Sequence, residues 1–289
     1  MKKLLLLVLS ALAFLPLHAG IIVTDSLYSN ILHSKVKYNV YLPDGYDKSN
    51  QKYPVVYLFH GMYGGYSDWA EMGNMKLVAD ELISSGEACP MVIVMPNAGD
   101  WDIYKVQNGY FNIPGWNYED FFFNEFMPEV ESKYKIQGDK GHRSVMGLSM
   151  GGGGCVVYCQ KHPDMFSSCY AMSAWLDTKQ LNDEKADKGD MLYTLNRSVR
   201  QNSALDFVEN ADEATVKKLR SIKWFIDCGD EDHLLDQNIQ FYQLMRAKKI
   251  KAELRVRNSG HNWEYWHTAL KIALPFASRS FITYRGLNI

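Results

Sequence analysis

One glycine-rich stretch constrains the fold more than any other part of the chain. Residues 146–154 read Met-Gly-Leu-Ser-Met-Gly-Gly-Gly-Gly, after a β-rich run and before an apolar stretch with helical character. Glycine in a helix interior is less favourable than alanine by about 0.8–1 kcal/mol, so four in a row are a poor start unless side chains are sterically excluded. We therefore expect a sharp strand-to-helix turn that other backbone segments approach closely.

Short apolar, β-rich runs alternate with helix-like stretches along the chain. The predicted strands are residues 36–42, 55–59, 91–95, 143–146, 224–228 and 253–256. The predicted helices are residues 75–84, 119–133, 155–161, 236–248 and 265–277. Parallel strands need crossover connections, so the alternation predicts an α/β fold with a mainly parallel, doubly wound sheet and helices on both faces. We expect a single domain over residues 20–289.

The first nineteen residues have the layout of a secretory signal peptide. Lys2 and Lys3 precede an uncharged run over residues 4–17, and the small residue Ala19 closes the segment. This run contains Pro16 and falls short of the roughly 20 apolar residues that span a bilayer. We expect cleavage near Ala19, export to the periplasm or the exterior, and no stable membrane insertion.

The charge and the cysteines exclude several classes of protein. The chain has 31 Lys and Arg against 33 Asp and Glu, and the basic residues form no stripe, which argues against a nucleic-acid partner. An odd number of cysteines without a C-x-x-C pair fits neither a disulfide scaffold nor a zinc site. We expect most of them to be buried, with one disulfide possible after export. They are Cys89, Cys155, Cys159, Cys169 and Cys228.

Two segments interrupt the alternation of strands and helices. Residues 97–117 form a long connection rich in aromatic side chains, and connections of this length in compact domains are usually functional. Residues 177–221 are polar and charged, with helical character in their second half, and are predicted to be a cap-like insertion over one end of the sheet. Either segment is a candidate wall of a binding pocket. For most of residues 177–221, solvated surface is the favoured interpretation.

The glycine-rich stretch has the pattern of a nucleophile elbow. Gly147 and Gly151 lie two residues before and after Ser149, at the positions where a strained strand-to-helix turn leaves no room for side chains. Such a turn exposes the serine hydroxyl at the carboxyl end of the sheet, where ligands bind in parallel α/β folds. A phosphate-binding turn is disfavoured, because the spacing is not G-x-G-x-x-G and no Gly-Lys-Ser/Thr follows.

A nucleophilic serine requires a histidine base and an acid that orients the imidazole. In this fold the acid and then the histidine follow the serine, on loops after later strands. His261 follows the last predicted strand and is the expected base. The acid is Asp230, Glu231 or Asp232, which follow the preceding strand, and their spacing does not distinguish them.

The negative charge that develops on an attacked carbonyl oxygen requires backbone N–H donors. The N–H of Met150 follows the serine directly and is the first expected donor. The second is expected in the loop that begins with His60 and Gly61, where the N–H of Met62 is the best candidate. An ordinary tight turn is the alternative interpretation of this loop.

Several motifs together resemble the esterase D, or "putative esterase", family of α/β-hydrolases, which includes feruloyl, acetyl and tributyrin esterases. They are Tyr38-Asn39-Val40-Tyr41-Leu42-Pro43, Leu58-Phe59-His60-Gly61, Val94-Met95-Pro96-Asn97, Gly147-Leu148-Ser149-Met150-Gly151-Gly152, Cys228-Gly229-Asp230-Glu231-Asp232 and Gly260-His261-Asn262-Trp263-Glu264-Tyr265-Trp266. The resemblance implies an α/β-hydrolase fold, selects Asp232 as the acid ahead of Asp230, and implies neither a metal nor an organic cofactor.

The resemblance also implies an activity. A secreted serine carboxylesterase of this kind would release acyl or hydroxycinnamoyl groups from small esters or plant polysaccharides. Aromatic side chains stack on sugar or phenolic rings, although core or rim packing is the better expectation for each tryptophan singly. Acyl transfer to a sugar hydroxyl, or carbohydrate binding without catalysis, are the alternatives. The candidate substrate-binding residues are His60, Trp69, Trp101, Trp116 and Trp263.

Overall fold

A computed structural model describes residues 19–99, 106–179, 187 and 190–281. The strands are β1 (Ile21–Ser29), β2 (Ser34–Leu42), β3 (Val55–Phe59), β4 (Val92–Pro96), β5 (Asn112–Ile113), β6 (Trp116–Asn117), β7 (Arg143–Leu148), β8 (Ser168–Met172), β9 (Lys223–Gly229) and β10 (Ala252–Arg257). The α-helices are α1 (Asp68–Glu71), α2 (Met75–Ser84), α3 (Tyr118–Phe121), α4 (Met127–Lys133), α5 (Met150–Lys161), α6 (Met191–Gln201), α7 (Ala204–Glu209), α8 (Glu213–Leu219), α9 (Leu235–Ala247) and α10 (Trp263–Ser280).

Eight of these strands form one sheet in the order β1-β2-β4-β3-β7-β8-β9-β10. The pairs β1–β2 and β2–β4 are antiparallel, and the remaining neighbours are parallel. Every predicted strand is present, with ends shifted by at most two residues. Helices α2 and α10 contribute to the core on one face of the sheet, and α5, α7 and α9 contribute to the core on the other. The predicted α/β fold is confirmed.

Two strands of the sheet were not predicted. Strand β8 has the sequence Ser-Cys-Tyr-Ala-Met, whose small and polar residues give no β-rich run, yet it is fully buried between β7 and β9. Strand β1 lies at the edge of the sheet, and its sequence Ile-Ile-Val-Thr-Asp-Ser-Leu-Tyr-Ser mixes polar and apolar residues. In both cases strand pairing, rather than the local sequence pattern, specifies the extended backbone.

Helix α5 begins earlier than predicted and includes the four consecutive glycines. A Cβ atom added at Gly151 would lie 2.5 Å from the carbonyl oxygen of His60, and one at Gly153 would lie 2.0 Å from that of Trp175. A Cβ atom at Gly147, in β7, would lie 2.6 Å from the backbone of Gly151. The glycines therefore allow neighbouring backbone to contact the first turns of the helix, as the sequence predicts.

The two interrupting segments are only partly described. In the first, residues 106–117 contain the β5–β6 hairpin, and the ring of Tyr110 stacks on Phe59 with centroids 4.3 Å apart. In the second, helices α6, α7 and α8 pack their buried residues against the main core. Trp101 and the predicted signal peptide up to residue 18 lie outside the described residues.

Two further expectations concern the burial of the cysteines and membrane insertion. All five cysteines are buried and the structure joins none of them in a disulfide, so the side chains pack as small apolar groups. None of the helices in the described part of the chain is long and apolar enough to cross a membrane.

Candidate active site

Ser149 occupies a strained turn between β7 and α5. Its φ of 52° and ψ of −117° lie outside the conformations that non-glycine residues usually adopt. The turn is held by backbone hydrogen bonds, since the Ser149 N–H donates to the Met172 carbonyl at 2.9 Å and the Ser149 carbonyl accepts from Trp175 at 3.0 Å. Strand β8 and the segment after it thus fix the position of the serine.

Three side chains from separate loops form a hydrogen-bonded chain at the carboxyl end of the sheet. His261 Nε2 lies 3.0 Å from Ser149 Oγ, and His261 Nδ1 lies 2.9 Å from Asp232 Oδ2. The carboxylate can only accept, so Nδ1 carries the proton and Nε2 is free to accept the serine proton. The loops that follow β7, β9 and β10 therefore bring together a nucleophile, a base and an acid.

The structure distinguishes the three candidate acids that spacing alone leaves open, and it agrees with the family resemblance, which selects Asp232. Asp232 alone among them contacts the imidazole, and its side chain is fully buried. Asp230 accepts a hydrogen bond from the Ser259 N–H at 3.0 Å and so ties the acid loop to the histidine loop. Glu231 is exposed.

The surroundings of Asp232 keep it ionised. Burial acts to raise the pKa of this carboxyl, but hydrogen bonds from His261, the Leu234 N–H and Ser173 outweigh burial and lower the pKa below its usual value. The Leu234 N–H lies 2.9 Å from Asp232 Oδ1. A negative charge is therefore held beside the imidazole, where it stabilises the imidazolium form.

Ser173 is a further site residue, which the sequence does not predict. Its hydroxyl accepts a hydrogen bond from Trp266 Nε1 at 3.1 Å and interacts with Asp232. Ser173 follows β8 directly and has a φ of 46°. No β-rich run marks β8 in the sequence, so no strand end is predicted at Ser173 and only the position of the folded strand reveals it.

The two expected N–H donors belong to backbone segments that adjoin the serine. Met150 is the first residue of α5, so its N–H has no intrahelical acceptor. Across the site, a Cβ atom added at Gly61 would lie 3.5 Å from Ser149 Cβ, which places the backbone that leads to Met62 beside the serine. The arrangement suits a carbonyl oxygen between the N–H groups of Met62 and Met150.

His60 supports this loop instead of contacting a substrate, which corrects the expectation for it. Its ring is buried, with Nδ1 2.8 Å from the Gly61 carbonyl oxygen and Nε2 accepting from the Ala98 N–H at 3.0 Å. Burial lowers the pKa of His60 to about 4, so the ring is neutral and donates from Nδ1. His60 therefore holds the loop in position from behind.

A cavity of about 650 Å³ opens beside Ser149 and His261. Most of the surface that lines it is apolar, and indole rings and methionine side chains contribute much of that surface. The apolar side chains of the wall are Met62, Met72, Leu148, Trp175, Leu234, Trp263 and Trp266. The polar ones include Tyr63, Asp68, Asp177, Thr178, His233 and Gln237. Such a wall suits an apolar group that is oriented by a few hydrogen bonds.

The expected tryptophans divide between the wall and the core. Trp263 lines the cavity as expected. Trp69 is buried against Trp263, with the centroids of the two rings 5.3 Å apart, and its Nε1 donates to the Phe59 carbonyl. Trp116 is also buried, donates to the Ala98 carbonyl and does not line the cavity. Trp69 and Trp116 therefore pack in the core, as is the better expectation for each tryptophan singly, and their candidacy as substrate-binding residues is corrected. Trp175 and Trp266 line the cavity and were not predicted.

One cluster within the described residues has the donor atoms to hold a metal ion. Asp232, His233 and His261 present ligand atoms that all lie within 4.8 Å of one another. His233 follows the acid directly, and its side chain is 69% exposed on the cavity wall.

Comparisons with known proteins agree with this geometry. A family model described as "Putative esterase" matches residues 29–277. The chain belongs to this family. A solved structure named as a ferulic acid esterase has 49% sequence identity and a TM-score of 0.88, over 91% of this chain and all of that one. The esterase-family chain thus shares its fold with this structure over nearly its whole length.

Curated relatives match the esterase-family chain over different lengths. An endo-1,4-beta-xylanase/feruloyl esterase from Xylanibacter ruminicola is 33% identical over 44% of the chain, which spans only 18% of that relative. The chain likewise spans 28% of esterase Rv1288 from Mycobacterium tuberculosis, at 34% identity over 47% of its own length. An acetyl esterase from Caldicellulosiruptor saccharolyticus is 23% identical over 88% of the chain and 97% of the relative.

Proposed function

We propose that this chain is a serine carboxylesterase that hydrolyses carboxylic esters through an acyl-serine intermediate. The observation that carries the proposal is the chain of hydrogen bonds from Ser149 through His261 to Asp232, at 3.0 and 2.9 Å, beside a largely apolar cavity. These are the groups and the distances that an activated serine nucleophile requires. Membership of the esterase family supports the same activity.

The geometry supports a two-step reaction. Ser149 Oγ attacks the ester carbonyl carbon while His261 Nε2 accepts the hydroxyl proton, and the oxyanion receives hydrogen bonds from the N–H groups of Met62 and Met150. His261 then donates this proton to the departing alcohol, which leaves an acyl group on the serine. Water enters, gives a proton to His261 and attacks the acyl carbonyl. Collapse of the second intermediate releases the acid and restores the serine.

We further propose that the acyl group is acetyl or hydroxycinnamoyl and that the ester links it to a small alcohol or a plant polysaccharide. The indole rings of Trp175, Trp263 and Trp266 on the cavity wall suit a flat phenolic ring. The names of the similar proteins include ferulic acid esterase, feruloyl esterase and acetyl esterase. Export, with cleavage near Ala19, is part of the proposal, since plant polysaccharides are encountered outside the cell.

The decisive experiment compares the wild-type protein with Ser149→Ala. The wild-type protein should hydrolyse p-nitrophenyl acetate and methyl ferulate, and a fluorophosphonate probe should label Ser149. The variant should lose both properties while its circular dichroism spectrum and melting temperature stay close to those of the wild type. Ser259→Ala, which removes a half-buried hydroxyl on the histidine loop that contacts neither Ser149 nor His261, is the matched control and should keep both properties.

The outcomes separate the alternatives. Full hydrolysis by Ser149→Ala would refute the assignment of the nucleophile. Absence of labelling in the folded wild-type protein would indicate a binding protein without catalysis. Products esterified to an added sugar, in place of free acid, would indicate acyl transfer.

A further inference from the structure

A second histidine lies beside the proposed catalytic pair. The His233 and His261 ring centroids are 4.6 Å apart, and His233 Nδ1 lies 3.8 Å from Asp232 Oδ1. The distance to the carboxylate is too long for a hydrogen bond. The proposed reaction assigns His233 no role, although its side chain faces the cavity.

The spacing of these groups suits a small divalent cation. Zinc binds imidazole nitrogen at about 2.0–2.1 Å and carboxylate oxygen at about 2.0–2.2 Å. An ion between His233 Nδ1 and Asp232 Oδ1 can therefore reach both atoms without any movement of the backbone. Because the third ligand, His261, lies within 4.8 Å of both, a small side-chain rotation completes the set. The exposed His233 side chain can rotate at little cost.

We propose that Asp232, His233 and His261 form an inhibitory Zn²⁺ site, with the fourth coordination position open to water from the cavity. Two neutral imidazoles and one carboxylate leave a single net positive charge at the occupied site. Three protein ligands and one water also match the usual tetrahedral coordination of an open zinc site. The site would be assembled from the loops that follow β9 and β10.

Occupation of this site would remove the base, and this part of the inference rests on the proposed function. A metal on His261 Nε2 takes the lone pair that accepts the serine proton. A metal on His261 Nδ1 displaces the hydrogen bond to Asp232 and leaves the ring proton on Nε2, which then donates instead of accepting. With either nitrogen bound, the imidazole no longer activates Ser149.

Metal binding is tested directly by titrating the purified full-length protein with ZnCl₂ in a calorimeter. The wild-type protein should bind one zinc ion per chain, and His233→Asn should weaken this binding at least tenfold. His33→Asn is the matched control, since His33 is exposed in the β1–β2 turn with a φ of 51°, a conformation that asparagine tolerates. The control should bind as the wild type does. Absence of stoichiometric binding, or equal binding by both variants, would overturn the site.

Inhibition is tested by measuring ester hydrolysis with and without ZnCl₂, each protein being compared with its own zinc-free rate. Saturating zinc should lower kcat of the wild type and of His33→Asn by roughly 100-fold or more, since general-base catalysis contributes about 10²–10⁴-fold. EDTA should restore the rate, and His233→Asn should be little affected. Zinc binding without loss of rate would overturn the inhibitory role. If the protein binds zinc but never hydrolyses esters, the proposed function is refuted and the zinc site is still supported.

Discussion

Asp230, Glu231 and Asp232 are consecutive acidic residues with three different environments. Asp232 is buried and bonded to His261, Asp230 joins two loops through the Ser259 N–H, and Glu231 is exposed. The difference arises because the chain turns after β9, so neighbouring side chains point in different directions. Chemical type alone therefore does not determine which carboxylate orients the imidazole.

Asp232→Asn should lower kcat by roughly 10⁴-fold with a small change in KM. The amide is uncharged and can present an N–H to the ring, which favours the wrong tautomer of His261. Steady-state hydrolysis of a p-nitrophenyl ester measures the effect. The matched control is Asp230→Asn, whose amide oxygen can still accept from Ser259, and its kcat should stay within a few-fold of the wild type. Equal losses in both variants would contradict the assignment of the acid.

The same variant should change the acid stability. The pKa of Asp232 is lower in the folded protein than its ordinary value of about 3.9, so its ionisation stabilises the fold above that pH. This contribution is lost as the pH falls through the folded pKa. Denaturant unfolding should therefore show a smaller loss of stability below about pH 4 for Asp232→Asn than for the wild type. An identical pH dependence would contradict the lowered pKa.

In helix α5, tertiary packing outweighs the low intrinsic helix propensity of glycine. Eleven of its residues are buried, including all four glycines. These glycines allow the backbones of β3, of β8 and of the segment after β8 to pack against the first turns, which fixes the helix N-terminus under the serine. The close packing offsets the unfavourable propensity of glycine.

Gly153→Ala should therefore lower the free energy of unfolding by about 1–3 kcal/mol, the range for an overpacked core. In an ordinary helix interior the same change stabilises by about 1 kcal/mol. The added methyl group would lie 2.0 Å from the Trp175 carbonyl oxygen, which is backbone and cannot rotate away. Gly152→Ala is the graded comparison, since its nearest atom lies at 2.9 Å, and it should be less destabilising. Urea unfolding gives both values, and a stabilising Gly153→Ala would contradict the packing argument.

At the scale of the whole molecule, the parallel order of β3, β7, β8, β9 and β10 brings their carboxyl ends to one edge of the sheet. Ser149 and His261 are 112 residues apart in sequence and meet only because of this order.

The amino-terminal part of the described chain is held by a hydrogen bond to helix α2. The Gly20 N–H donates to Asp80 Oδ1 at 2.7 Å, and Asp80 also accepts from Lys76 and Tyr41.

Cleavage of the proposed signal peptide after Ala19 would convert this N–H into an ammonium group beside a carboxylate. A protein that begins at Gly20 should be more stable than one that begins at Ala19 by about 1 kcal/mol, since charged hydrogen bonds are stronger than neutral ones. Thermal unfolding of the two forms measures the difference. Asp80→Asn in both backgrounds is the control and should reduce it. Equal stability of the two wild-type forms would contradict a role of the new terminus.

The amino-acid sequence was sufficient for the features that depend on local chemistry. The glycines around Ser149, the strand before it and the loop of His261 are each recognisable within about ten residues, because backbone sterics and short-range periodicity determine them. Contacts between distant loops required the tertiary structure. Spacing leaves the acid open among Asp230, Glu231 and Asp232, and the motif shared with the esterase family selects Asp232. The contacts that only the tertiary structure shows include the support from Ser173 and the burial of Trp69 and Trp116. Each depends on where side chains from separate strands converge, and no local pattern encodes that position.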